Sequence, residues 1–185
     1  MASVTQQILL SIGNKDGVNF NVSLPTSIGG NNGYTYVVKI TAAGLTLPSG
    51  SISRMRFTFQ GGTPEGYIVT NAYIGHRAGS GDAYDFATTP TQILFSGGAS
   101  GNTGVNTTIT SDWVNFAYDK TSDLVIAFYG GGGTGADTFK YGDSITGVQS
   151  YYKLANEAAT VNKTGYTSAA AGRSFAVTEI ESDGF

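Results

Sequence analysis

Apolar and polar residues alternate with a period of two along much of this chain, the spacing of a strand that buries one face. Val18, Phe20, Val22 and Leu24 alternate with Asn19, Asn21 and Ser23. Tyr34, Tyr36, Val38 and Ile40 alternate with Thr35, Lys39 and Thr41. Met55, Phe57 and Phe59 oppose Arg54, Arg56 and Thr58, and Val114, Phe116 and Tyr118 continue the pattern around Asn115. Residues 124–129 are apolar on both faces, which predicts a central strand. Weaker strands are expected at 7–12, 67–76, 92–95, 149–154 and 174–180. The only helical candidate, 154–161, is too short and too poorly patterned to matter.

Turn signals punctuate these runs at 14–17, 29–33, 61–66, 97–104 and 130–135. The short connector 119–123 predicts a hairpin over residues 113–129. About ten short strands so spaced predict an all-β antiparallel sandwich of the jelly-roll kind. Residues 1–185 then form a single β-sandwich domain, with 1–45 as a candidate N-terminal subsheet. Phe57, Phe116, Leu124, Ile126 and Phe128 are expected between the two sheets.

Composition agrees with that architecture. The chain has 185 residues, 40% of them hydrophobic, enough for a real core. Only 12% are charged, about half the usual share, while Gly is abundant at 27 residues. Such a surface is kept in water by Ser, Thr and Asn. Net charge is −3 and the ten Lys and Arg are scattered, which argues against nucleic-acid binding, since counterion release needs clustered cations. With no Cys, disulfides and thiolate metal sites are excluded. Met1–Gln7 has no basic region and no long apolar stretch, so no secretory signal is read there. No segment approaches the roughly 18 apolar residues of a membrane-inserted helix.

Candidate chemistry is sparse. Residues 132–139, Gly-Gly-Thr-Gly-Ala-Asp-Thr-Phe, match one nonapeptide calcium repeat. Such repeats hold ions between successive turns, so a single copy reads as a glycine-rich loop and Asp137 as no calcium ligand. His76, the only His, has no companion for metal binding or base catalysis and reads as a loop histidine. Asp82, Asp85, Asp112 and Asp143 are the carboxylates a glycosidase pair would need, and nothing places two of them across a cleft. The sequons at Asn21, Asn106 and Asn162 are expected by chance in a chain this rich in Asn and Thr. Trp113 suits core packing or glycan stacking. The loop 75–90 is the candidate ligand- or partner-binding segment, because His76, Arg77, Asp82, Tyr84, Asp85 and Phe86 stand among its glycines. Exposed aromatics beside carboxylate and guanidinium groups suit a sugar or a protein interface; an ordinary loop packing its aromatics on the sandwich is the plainer alternative.

Residues 52–130 carry a resemblance. Arg54-Met55-Arg56-Phe57, then Ala72-Tyr73-Ile74-Gly75-His76-Arg77, Leu94-Phe95-Ser96-Gly97-Gly98, Thr110-Ser111-Asp112-Trp113-Val114 and residues 123–129 follow one another in order. This series resembles the accessory β-sandwich that precedes the catalytic domain of some SGNH (GDSL-type) hydrolases, and related stand-alone modules of phage structural proteins. Residues 142–147, Gly-Asp-Ser-Ile-Thr-Gly, read like the nucleophile block of the same hydrolases. In that family the His follows more than 100 residues later, whereas here about 40 residues follow Ser144 and His76 lies upstream. No catalytic residue, metal or cofactor is therefore expected, and a non-enzymatic role is. The expected function is that of a virion protein, a phage decoration, fibre or tail-associated component made in the host cytoplasm. Its expected partners are other virion subunits in a homo-oligomer, with a cell-surface polysaccharide as a further partner. The alternative is a carbohydrate-binding module.

Overall fold

A computed structural model describes residues 17–131 and 137–184. The strand expected at 7–12, most of the 14–17 turn and most of the 132–137 calcium-like turn lie outside the described residues. The rest is all-β. Its strands are β1 (Val18–Asn21), β2 (Thr26–Ile28), β3 (Tyr34–Ile40), β4 (Ile52–Gln60) and β5 (Ile68–His76). They continue with β6 (Thr91–Ile93), β7 (Gly101–Asn102), β8 (Thr108–Thr110), β9 (Val114–Tyr118) and β10 (Leu124–Gly130). The last are β11 (Phe139–Gly142), β12 (Val148–Leu154), β13 (Thr167–Ser168), β14 (Ser174–Phe175) and β15 (Val177–Ser182). A single 3-10 turn, Ala42–Gly44, is the only helical element among the described residues. The strands outnumber the ten or so expected because several short edge pieces carry no alternation of their own. No described helix is long and apolar enough to cross a membrane.

Every pairing is antiparallel. A seven-stranded sheet runs β13-β12-β3-β10-β5-β6, with β7 also on β5. A five-stranded sheet runs β1-β15-β4-β8, with β9 also on β4. The order β14-β11-β2 makes a small third sheet. The main core joins Met55, Phe57 and Phe59 of β4 to Val38, Ile74, Ile126 and Phe128 of the seven-stranded sheet, all of them fully buried. Phe128 sits within a ring cluster, its centroid 5.4 Å from Phe59 and 5.6 Å from Tyr36. β10 lies between β3 and β5 with both faces buried, as its unbroken apolar run requires.

Four expectations are corrected. Residues 113–129 are not a hairpin: β9 pairs with β4 and β10 with β3 and β5, so the connector crosses between sheets. The burial pattern explains the split. β9 buries Val114 and Tyr118 but exposes Asn115 and Ala117, whereas β10 needs cover on both faces. The crossing is held by the Asp119 carboxylate, which accepts backbone N–H groups of Thr121 and Ser122, both at 2.8 Å. Within 1–45 the described residues, from Gly17 onward, build no subsheet of their own, since β1, β2 and β3 join three different sheets. The expected strand 174–180 breaks at Ala176, whose φ of 54° turns the chain from the small sheet into the five-stranded one. Phe116 is only partly buried; its ring lies 4.8 Å from that of His76 instead of deep between the sheets.

Candidate functional site

The 75–90 loop is a latch across the outer face of the seven-stranded sheet. That face presents Val37, Val125 and Ala127, which remain apolar and need cover. Tyr84 and Phe86 supply it, together with Ala158, Val161 and Tyr166 from the segment after β12. Phe86 lies so close to Gly75 that a Cβ there would meet its ring at 2.7 Å, so only glycine fits. Its backbone N–H donates to the Val161 carbonyl at 3.0 Å. The aromatic pair expected to be exposed is thus buried, Tyr84 being 8% and Phe86 1% exposed, and neither ring is open to stack on a sugar.

Asp82, Asp85 and Arg77 serve the same latch, whereas His76 faces the opposite side of β5, toward β9. Asp85 is 5% exposed and accepts the Lys163 backbone N–H at 2.7 Å and the Asp82 N–H at 2.9 Å. Asp82 in turn accepts the Tyr84 hydroxyl at 2.9 Å. The Arg77 backbone N–H donates to the Asp123 carbonyl at 2.8 Å and bridges across to Phe86. His76 accepts the Asp119 backbone N–H on Nε2 at 3.2 Å, with its ring stacked on Tyr118 at 5.5 Å. Lys163 closes the latch from the far side. It is buried, its Nζ 3.6 Å from the Phe86 ring centroid and within 3.3 Å of the Tyr84 carbonyl it donates to. Burial pulls its pKa down to about 7, against the opposing pull of Asp85 and Glu157.

The remaining chemical candidates are tied into the fold as well. Asp112 accepts the N–H groups of Ser96 and Gly97, closing a turn. Asp143 grips Arg173 through two bonds, at 2.6 Å to Nε and 2.9 Å to Nη2. Ser144 follows in the left-handed region at φ 61°, at the end of the small sheet, whereas His76 ends a strand of the seven-stranded one. Asp137 is buried, and desolvation, with Glu65 nearby, pushes its carboxyl above the usual range, an environment that disfavours the charged form a cation needs. Among the described residues no group of three or more acidic or His side chains is placed to hold a metal.

The five-stranded sheet carries the open surface. Its register sets Met55, Phe57, Ile180 and Val114 inward. Arg54, Arg56, Thr58, Glu179, Glu181, Thr110 and Asn115 therefore point outward. Trp113, just before β9, is 37% exposed at this face. The guanidinium of Arg56 lies 4.8 Å and that of Arg54 5.4 Å from its ring centroid. Arg56 makes a two-bond pair with Glu181 at 2.9 and 2.7 Å, and Arg54 reaches Asp183 at 3.4 Å. A depression of about 420 Å³ opens between these groups, Gly17 and Ser182. Sequence reasoning weighed Trp113 for core or glycan and passed over the two arginines. Their outward position was legible in the alternation of β4, but their meeting with Trp113 depends on β9 pairing with β4. No protein-family model matches this chain, and neither does any curated protein.

Proposed function

We propose that this chain is a non-enzymatic structural protein of a virus particle, a decoration, fibre or tail-associated component that works through contacts with further copies of itself. The observation that carries the proposal is the outer face of the five-stranded sheet, where Trp113 lies beside the guanidinium groups of Arg54 and Arg56 and is 37% exposed among the described residues. Trp and Arg are the residue types in which binding energy concentrates at protein interfaces. Arg54 and Arg56 stand beside Glu179 and Glu181, so the face carries both signs of charge. A patch of that kind is able to complement itself about a twofold axis. The resemblance of residues 52–130 to stand-alone phage modules points the same way.

The test is the mass of the chain in solution across a range of concentrations. The wild type is expected to form a discrete oligomer. Trp113→Ala is expected to weaken it by at least about 2 kcal/mol, roughly 30-fold in dissociation constant. A wild-type chain that stays monomeric at every concentration overturns the proposal.

A further inference from the structure

A second depression, of about 230 Å³, opens where the small sheet meets β3 and β12. Tyr34 and Tyr36 lie two apart on β3, and Tyr152 stands opposite Tyr36 in register, so three rings share one face. Their centroids are 6.0 to 6.4 Å apart. Tyr36 and Phe175 form a buried floor at 4% and 2% exposure. That floor is rigid. The Tyr36 hydroxyl donates to Asn31 Oδ1 at 2.7 Å, and the Asn31 amide donates to the carbonyls of Ile28 at 2.6 Å and Asp137 at 3.1 Å. Tyr34 and Tyr152 are half-buried walls, and neither hydroxyl hydrogen-bonds to a described residue. Arg173 completes the rim, its guanidinium 4.3 Å from the Tyr141 ring centroid and held by Asp143 through Nε and Nη2. That pairing leaves the Nη1 hydrogens to other acceptors.

We infer that this cleft binds one neutral pyranose ring of a glycan. The aromatic walls suit the C–H faces of a sugar, while the tyrosine hydroxyls and Arg173 Nη1 supply polar partners for its hydroxyls. The volume lies below the range of about 300 to 1,000 Å³ typical of larger ligands, so one ring is accommodated and not a chain lying in the cleft. Neutrality follows from Asp143, which balances Arg173, the one cation among the described residues lining the site, and leaves an acidic sugar without an uncompensated partner. This inference is independent of the assembly proposal, because the cleft and the Trp113 face share no lining residue.

The experiment is an NMR titration of the whole chain with the methyl pyranosides of glucose, galactose, mannose and N-acetylglucosamine. Glucuronate serves as the acidic arm and adenosine as the flat aromatic arm. At least one neutral pyranoside is expected to bind and to shift the Tyr34 and Tyr152 resonances. Tyr152→Ala should weaken that binding by about tenfold or more, whereas Tyr152→Phe, which keeps the stacking face, should change it by about threefold or less. Should Tyr152→Ala fail to fold, the location of the wild-type shifts decides: shifts confined to other residues overturn the inference. So do tighter binding of glucuronate or adenosine, binding that Tyr152→Ala leaves intact, or no binding by any neutral sugar.

Discussion

The two large sheets of this protein begin from the same alternating pattern and end in opposite circumstances. The seven-stranded sheet is covered twice, by the core on one side and by the Tyr84–Phe86 latch on the other. Among the described residues the five-stranded sheet is covered once, and its outer face shows Arg54, Thr110 and Trp113 to solvent. The residues themselves account for the difference. The outer positions of β10 are Val125 and Ala127, which gain from being taken out of water. The outer positions of β4 include Arg54 and Arg56, which pair with acidic neighbours at the surface and gain nothing from a lid. A covered face lends stability, while an open face is what a partner can reach.

The largest effect expected from breaking this contrast lies at its shared core. Phe128→Ala removes a fully buried ring on the central strand and should cost about 3–5 kcal/mol in a denaturant titration. Phe116→Ala, at a partly buried position against His76, should cost about 1 kcal/mol. Equal costs at the two positions would show that the β9 face is as enclosed as β10.

The latch makes the doubly covered sheet sensitive to pH. Lys163 has a folded pKa of about 7 against an unfolded value near 10.5, so the unfolded chain binds the extra proton between those limits. Stability should therefore rise with pH from about 7 to about 10.5, at no more than about 1.4 kcal/mol per pH unit for one proton. Below pH 7 both states hold the proton and this contribution is flat. Lys163→Met, apolar and of similar length, should abolish that part of the slope in melts recorded across this window. A slope unchanged in the variant would place the titration elsewhere.

The open face should behave in the reverse manner. Trp113→Ala is expected to change monomer stability by about 1 kcal/mol or less, because the ring packs on exposed guanidinium groups and not in the core. A loss comparable to that at Phe128 would make Trp113 part of the fold and remove it from the interface. The smallest effect belongs to the hydrolase-like turn. Ser144→Ala should leave any hydrolysis of a chromogenic acetyl ester unchanged, since Asp143 is engaged by Arg173 and His76 is packed against Phe116 and Tyr118 with its Nε2 accepting the Asp119 N–H. Hydrolysis that disappears in this variant alone would assign the turn a catalytic role.

Local order determined much of this molecule. Alternation alone located β3 and β4 and the inward side of each, because strand geometry ties a period of two to opposite faces whatever the partner. The continuous apolar run of β10 was enough to make it central. The pairing of β9 with β4, by contrast, was decided only in three dimensions. Asp119–Asp123 is as short as a hairpin connector, and a short connector serves equally to join neighbours in a sheet or to cross between sheets. The fate of the 75–90 loop was decided there too: its aromatics look like a binding surface until Val37, Val125 and Ala127 are seen to need cover. Trp113 with its arginines and the tyrosine cleft with Arg173 unite residues more than 50 positions apart. Sequence periodicity reports which way a side chain faces along its own strand. Which strand stands beside it, and what lies over it, follows from the packing of the whole chain.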